Sequence, residues 1–117
     1  MLYHHAVGEI KPDILKAYGV TVEIKRGYSV CATLFDIEDP RKVICRTKNP
    51  LYIPNLPCEL YGNEDYTVDV PAVVFPVGNF VIGNKLVIYA GAGDKYTILL
   101  SCNLNSLLDY LLKCCKI

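Results

Sequence analysis

Thr67–Asn103, TVDVPAVVFPVGNFVIGNKLVIYAGAGDKYTILLSCN, decides how the chain folds. It holds three apolar, β-rich runs: Ala72–Val77, then Phe80–Ile82 with Lys85–Tyr89, then Tyr96–Ser101. The breaks fall at Gly78-Asn79, Gly83-Asn84 and Gly91-Ala92-Gly93-Asp94-Lys95. Val, Ile, Phe and Tyr suit a pleated, half-buried surface, and Gly-Asn supplies the positive φ of tight hairpin turns. Short strands joined by hairpins, with no helix between them, form an antiparallel meander. Because these strands are apolar on both faces, the meander is expected to be covered on both sides, as a blade within a larger assembly is.

Working outward, Leu2–Val7 reads as a short strand, and Gly8–Gly19 as a loop with one helical turn over Asp13–Ala17. Val20, Val22 and Ile24 alternate with Thr21, Glu23 and Lys25, which predicts a half-buried strand over Val20–Lys25. Tyr28–Ile37 is a stronger strand, closed by the polar turn Glu38-Asp39-Pro40-Arg41 and followed by a short partner, Val43–Arg46. Thr47–Asp65 carries Pro50, Pro54 and Pro57 and predicts an extended crossing between two sheets. Its apolar residues, Leu51, Tyr52, Ile53, Leu56 and Leu60, argue against a free linker, so no domain boundary is placed there and residues 1–117 read as one unit. Leu104, Leu107, Leu108, Leu111 and Leu112 recur at helical spacing to give a short C-terminal helix over Leu104–Cys115, capped by Asn103 or Asn105.

Composition limits the function classes. With 117 residues and 52% hydrophobic content, the chain can build a core. Twelve basic residues offset twelve acidic ones, which leaves no net field to draw nucleic acid or anionic lipid. No apolar run reaches the roughly 20 residues of a membrane span. The start, MLYHHAVGEIKP, lacks the basic flank and long apolar core of a signal peptide, so a cytoplasmic location is expected. Cys31, Cys45, Cys58, Cys102, Cys114 and Cys115 include no Cys-x-x-Cys pair, so inert thiols are expected and no metal. Cys31, Cys45 and Cys102 sit in or beside strand runs as small hydrophobes.

The two meanders, Tyr28–Arg46 and Ala72–Ser101, joined by a Pro-rich crossing, have the rhythm of a β-propeller, although roughly two blades fall short of the four or so that close one. Several stretches carry a resemblance. Leu2-Tyr3-His4-His5-Ala6-Val7 resembles L-x-Y-H-G-V, and Tyr28–Pro40 resembles Y-x-x-G-A-A-L-L-D-L-E-D-P. Lys42–Arg46 with Pro50–Pro54 is similar to K-V-I-x-R-x-x-x-P-I-L-x-P, Val70–Gly78 to V-P-N-V-V-F-P-x-G, and Tyr89–Asp94 to Y-Y-G-A-A-D. Together, in order and at compatible spacing, they resemble the C-terminal third of glycoside hydrolase family 130, the β-mannoside phosphorylases and related mannosidases. His4, Ala6 and Ala72 stand where that family has Tyr, Gly and Asn, and Gly8–Arg26 shows little of its pattern.

The resemblance implies an all-β, five-bladed propeller with the sugar site in its central funnel, of which this chain is a partial propeller with a short C-terminal helix. It also implies transfer of a mannosyl group from a β-mannoside to inorganic phosphate with inversion, with phosphate as co-substrate and no cofactor. The family's catalytic Asp and main phosphate-binding Arg and Lys belong to earlier blades, so no catalytic residue is assigned here and the isolated chain is expected to be inactive. Four substrate-binding residues are expected: His5 towards an anion, Tyr28 and Phe75 stacking on a pyranose, and Asp94 accepting sugar hydroxyls. For Phe75 the competing reading is core packing, and for Asp94 a turn carboxylate satisfying its own backbone. Glu59 and Asp69, near the crossing, are expected to be solvated. Expected partners are a β-mannoside and either another chain supplying the missing blades or a second copy. The alternative is a non-catalytic, self-associating carbohydrate-binding or remnant module, and a metal- or redox-linked role for the cysteines ranks behind both.

Overall fold

The computed structural model describes the backbone of residues 2–116 and the side chains of residues 8–116. The elements run β1 (Leu2–Gly8), α1 (Pro12–Ala17), β2 (Gly27–Phe35), β3 (Val43–Arg46), β4 (Val74–Ile82), β5 (Lys85–Ala92), β6 (Tyr96–Asn103) and α2 (Leu104–Cys114). They form two antiparallel three-stranded sheets, β1-β2-β3 and β4-β5-β6. The structure is thus mostly β, as expected, with a short C-terminal helix. Asn103 Oδ1 accepts from the Ser106 amide at 2.9 Å and caps α2.

Strand β2 is the element against which the others are ordered. One edge pairs with β1 along its length, Leu2 opposite Thr33 through Gly8 opposite Gly27. The other edge is shared by separate segments. Leu34 lies opposite Cys45 of β3. The Thr47 amide donates to Ala32 O at 3.0 Å, and the Ala32 amide returns a bond to Thr47 Oγ1 at 3.1 Å. The Val30 amide donates to Tyr52 O at 2.9 Å, and the Tyr28 amide to Ala72 O at 2.9 Å. Every second residue from Tyr28 to Leu34 thus has a partner, supplied in turn by Ala72, Tyr52, Thr47 and Cys45.

Three apolar clusters hold the layers. Ala32 and Cys45 of the first sheet meet Leu86 and Ile88 of the second, with Leu107 and Leu111 of α2 closing the end. Val30, Val74 and Ala90 continue that contact. Ile10, Leu15, Ile24, Ile53 and Ala72 pack α1 and its flanks against the crossing. The other face of the second sheet has no such cover among the described residues: Val77 is 71% exposed and Leu99 62%, with Phe80 and Tyr89 in ring contact at 5.8 Å beside them.

Three expectations need correction. Val20–Lys25 is not a strand: only Ile24 is buried, Val22 is 41% exposed, and the one ladder-like bond is the Ile10 amide to Ile24 O at 3.1 Å. Alternation alone makes no strand where no partner edge exists. Gly78-Asn79 is not a turn but part of a β-bulge, since Pro76 lies opposite Ala90 and Gly78 opposite Tyr89, which leaves Val77 without a partner. Glu59 is not solvated but wholly buried. Tyr52 Oη donates to both its oxygens at 3.1 and 2.9 Å, and the Asn55 and Leu56 amides donate to Oε1 at 3.0 and 3.1 Å.

Burial, the neighbouring Glu59 charge and its hydrogen bond push the Tyr52 phenol well above its ordinary value of 10.0. An unfolded phenol loses its proton near that value while the folded one keeps it, so the native state binds more protons there and stability falls as pH rises above 10.0. Tyr52→Phe removes this slice of alkaline sensitivity, which denaturation midpoints at pH 9 and pH 11 will show as a flatter loss than in the parent chain. In the core, Leu111→Ala empties a fully buried position and costs about 2–5 kcal/mol by chemical denaturation. Leu112→Ala, 45% exposed on the same helix, costs about 1 kcal/mol or less.

Candidate functional site

Three of the four residues singled out in the sequence line one cavity. Tyr28, Val70, Val73, Phe75 and Asp94 enclose a cavity of about 270 Å³. Tyr28 comes from the start of β2, Phe75 from the start of β4, and Asp94 from the turn between β5 and β6. The Tyr28 and Phe75 rings sit 6.1 Å apart at 50°. Phe75 is 37% exposed, so it is cavity lining and not core.

The local chemistry of the turn fixes Asp94. Gly93 and Asp94 have φ of 60° and 57°, and the Lys95 amide donates to Ala92 O at 3.1 Å, the pattern of a type I′ hairpin. Glycine is required at position 93, since a Cβ there would meet Cys58 O at 2.5 Å and Val68 Cγ1 at 2.6 Å. The crossing also grips this turn by hydrogen bonds. The Asp69 and Val70 amides donate to Gly93 O at 2.9 and 3.0 Å, and the Gly93 amide donates to Val73 O at 3.0 Å. Asp94 is exposed, and among the described residues its carboxyl takes no hydrogen-bond partner, so it is not the self-satisfied turn residue of the competing reading.

His5 lies opposite Val30 in the β1–β2 register, two pairs from Val7 opposite Tyr28, and its side chain lies outside the described residues. Val70 and Val73 were legible only as positions of the Val70–Gly78 motif, Val73 also as part of the Ala72–Val77 run. Lys95 Nζ donates to Thr67 Oγ1 at 2.6 Å and stands 5.7 Å from the Tyr96 ring centroid, bracing the far side of the turn. A second cavity of about 280 Å³, lined by Glu9, Lys11, Ser29, Thr47 and Lys48 among others, has no aromatic wall.

Chemically, two aromatic faces and an open carboxyl suit a ligand that presents C–H faces and hydroxyl donors together. The six thiols are free, and among the described residues no three His, Cys, Asp or Glu side chains gather closely enough to hold a metal. Cys31 and Cys45 are buried, whereas Cys102 is exposed. Burial pushes the Cys31 thiol up despite its hydrogen bond with Thr47, away from nucleophilic character. No described helix is long and apolar enough to cross a membrane.

Comparison with known proteins gives a consistent result. The family model for glycoside hydrolase family 130, described as beta-1,4-mannooligosaccharide phosphorylase, matches residues 6–113. A 1,2-beta-oligomannan phosphorylase of Thermoanaerobacter sp. (strain X514) is 42% identical over 67 residues, 57% of this chain and 21% of that protein. A beta-1,2-mannobiose phosphorylase of the same organism is 36% identical over 69 residues, 59% of this chain and 21% of that protein. Among solved structures, the beta-1,2-mannobiose phosphorylase of Listeria innocua, in complex with beta-1,2-mannobiose, superposes with a TM-score of 0.65 at 29% identity. That superposition covers 74% of this chain and 23% of the other. A putative glycoside hydrolase of Bacteroides ovatus ATCC 8483 gives a TM-score of 0.54 at 28% identity, over 68% of this chain and 22% of its own. The matched segments thus span about a fifth of each relative's length.

The turn geometry yields a paired prediction. Gly93→Ala destabilises by about 2 kcal/mol or more, through a clash with backbone and a positive φ. Asp94→Gly relieves the left-handed strain and is neutral to stabilising by up to about 1 kcal/mol. Urea denaturation of the two variants checks both signs.

Proposed function

The chain belongs to glycoside hydrolase family 130, and from that premise we propose that it forms one wall of a β-mannoside site within a five-bladed propeller. Residues 1–117 act as one unit that supplies the last blades, and the remaining sheets lie outside these residues. The observation that carries this reading is the convergence of Tyr28, Phe75 and Asp94 on one cavity from three separate elements. Family membership and the geometry of this wall both support a mannoside as its ligand.

In this reading Tyr28 and Phe75 present ring faces to the C–H surface of a mannosyl unit, and Asp94 accepts two of its hydroxyl hydrogens. His5, opposite Val30 and two register pairs from Tyr28, contributes to holding inorganic phosphate, the co-substrate. The proton donor and the other anion-binding residues are contributed by the sheets outside this chain. Attack of phosphate oxygen on the anomeric carbon breaks the glycosidic bond with inversion, and the leaving oxygen takes its proton from that donor. The products are mannose 1-phosphate and a shortened saccharide. The reaction belongs to the cytoplasm, where phosphate is at hand.

A second reading, a self-associating module without activity, is favoured by the uncovered face of the second sheet, where Val77, Phe80, Ile82 and Leu99 are exposed. The two readings separate by reconstitution. The purified chain alone releases no mannose 1-phosphate from β-1,2-mannobiose and phosphate. Co-expressed with a chain carrying the remaining blades, it forms a complex and does, and Asp94→Ala lowers that rate at least about tenfold. Failure to form any complex, together with stable self-association, would favour the second reading over the first.

A further inference from the structure

Glu59 is buried at 0% exposure in the crossing between the two sheets, outside any named strand. A carboxyl group removed from water is costly unless hydrogen bonds replace that water. Here Tyr52 Oη and the amides of Asn55 and Leu56 do so. The Glu59 and Leu60 amides both donate to Leu56 O, at 2.9 and 3.0 Å, and the Gly62 amide donates to Pro57 O at 2.9 Å. The carboxyl therefore fastens the two ends of this tight turn to each other.

From that turn, backbone contacts run to three parts of the cavity wall: Val73, Tyr28 and the hairpin turn that carries Asp94. The Val73 amide donates to Glu59 O at 2.9 Å. The Ala72 amide donates to Leu60 O at 2.9 Å, and Ala72 O in turn accepts from the Tyr28 amide at 2.9 Å. On the preceding residue, Cys58 O lies against Gly93, the neighbour of Asp94. The Gly93 amide closes the circuit on Val73 O at 3.0 Å.

The geometry points to Glu59 as the positioning residue of the cavity, a buried strut that sets the separation of Tyr28 and Val73 from Asp94. Its importance to mannoside binding rests on the reading of the cavity given above, since Glu59 itself lines no part of it. It works through the turn, which holds Val73 by a hydrogen bond and meets the hairpin at Gly93.

Site-resolved amide hydrogen exchange on the 117-residue chain tests this with Glu59→Gln and Tyr52→Phe. Glu59→Gln keeps the shape but turns an amide NH2 towards Tyr52 Oη, and Tyr52→Phe leaves the two amide bonds intact. In Glu59→Gln, exchange at Ala72, Val73 and Gly93 quickens about tenfold or more, and Tyr52→Phe gives a smaller rise at the same amides. The Leu104 amide, bonded to Asn84 O, and the Arg46 amide, bonded to Cys115 O, keep their parent rates. Uniform acceleration at all five amides, or no change at Val73 and Gly93, would overturn the inference. If Glu59→Gln does not fold, the Tyr52→Phe pattern decides alone by the same criterion. A reconstituted parent assembly without phosphorolysis would remove the mannoside reading and leave the exchange result to stand or fall on its own.

Discussion

A β-strand with a bare edge must find hydrogen-bond partners for every second residue, and the second edge of β2 is where this chain meets that demand. Regular pairing with β3 accounts for only one end of it. The rest is met by Thr47 and Tyr52 at the start of the crossing and by Ala72, twenty residues further on. Each such bond has a modest net worth of about 1 kcal/mol, but leaving the edge groups buried and unpaired would cost more. The start of the crossing, with Ala72, therefore completes the edge of the first sheet.

That constraint also explains why a cavity exists. Fixing Ala72 against Tyr28 brings the start of β4 beside the start of β2, and so sets Phe75 near Tyr28. The same crossing returns past Gly93, where only a glycine leaves room for it. The positive φ of Gly93 and Asp94 then swings the carboxyl out beside the two rings. Hairpin chemistry, edge completion and one buried carboxyl thus act on a single small region. The apolar outer face of the second sheet, by contrast, answers to nothing within the described residues.

Much of this was legible because it is local. Gly83-Asn84 and Gly93-Asp94 announce hairpins through backbone chemistry, and the leucines of α2 with the Asn103 cap announce a helix end. The colinear motifs named Tyr28, Phe75 and Asp94 before any geometry was known, and the fold brings those three together. What the sequence hid is non-local. Val20–Lys25 has a strand's alternation but no edge to pair with, and the Gly78-Asn79 signal is absorbed by a bulge at Val77. Glu59 reads as one more surface acid in a Pro-rich stretch, because its four acceptor contacts depend on how that stretch folds back on itself.

The most direct measurement is a two-dimensional amide and methyl NMR titration of the chain with β-1,2-mannobiose. Shifts confined to Tyr28, Val70, Val73, Phe75 and Asp94, and abolished by Asp94→Ala, are the result this account requires. Shifts centred instead on Lys11, Thr47 and Lys48, or none at saturating sugar, would contradict it.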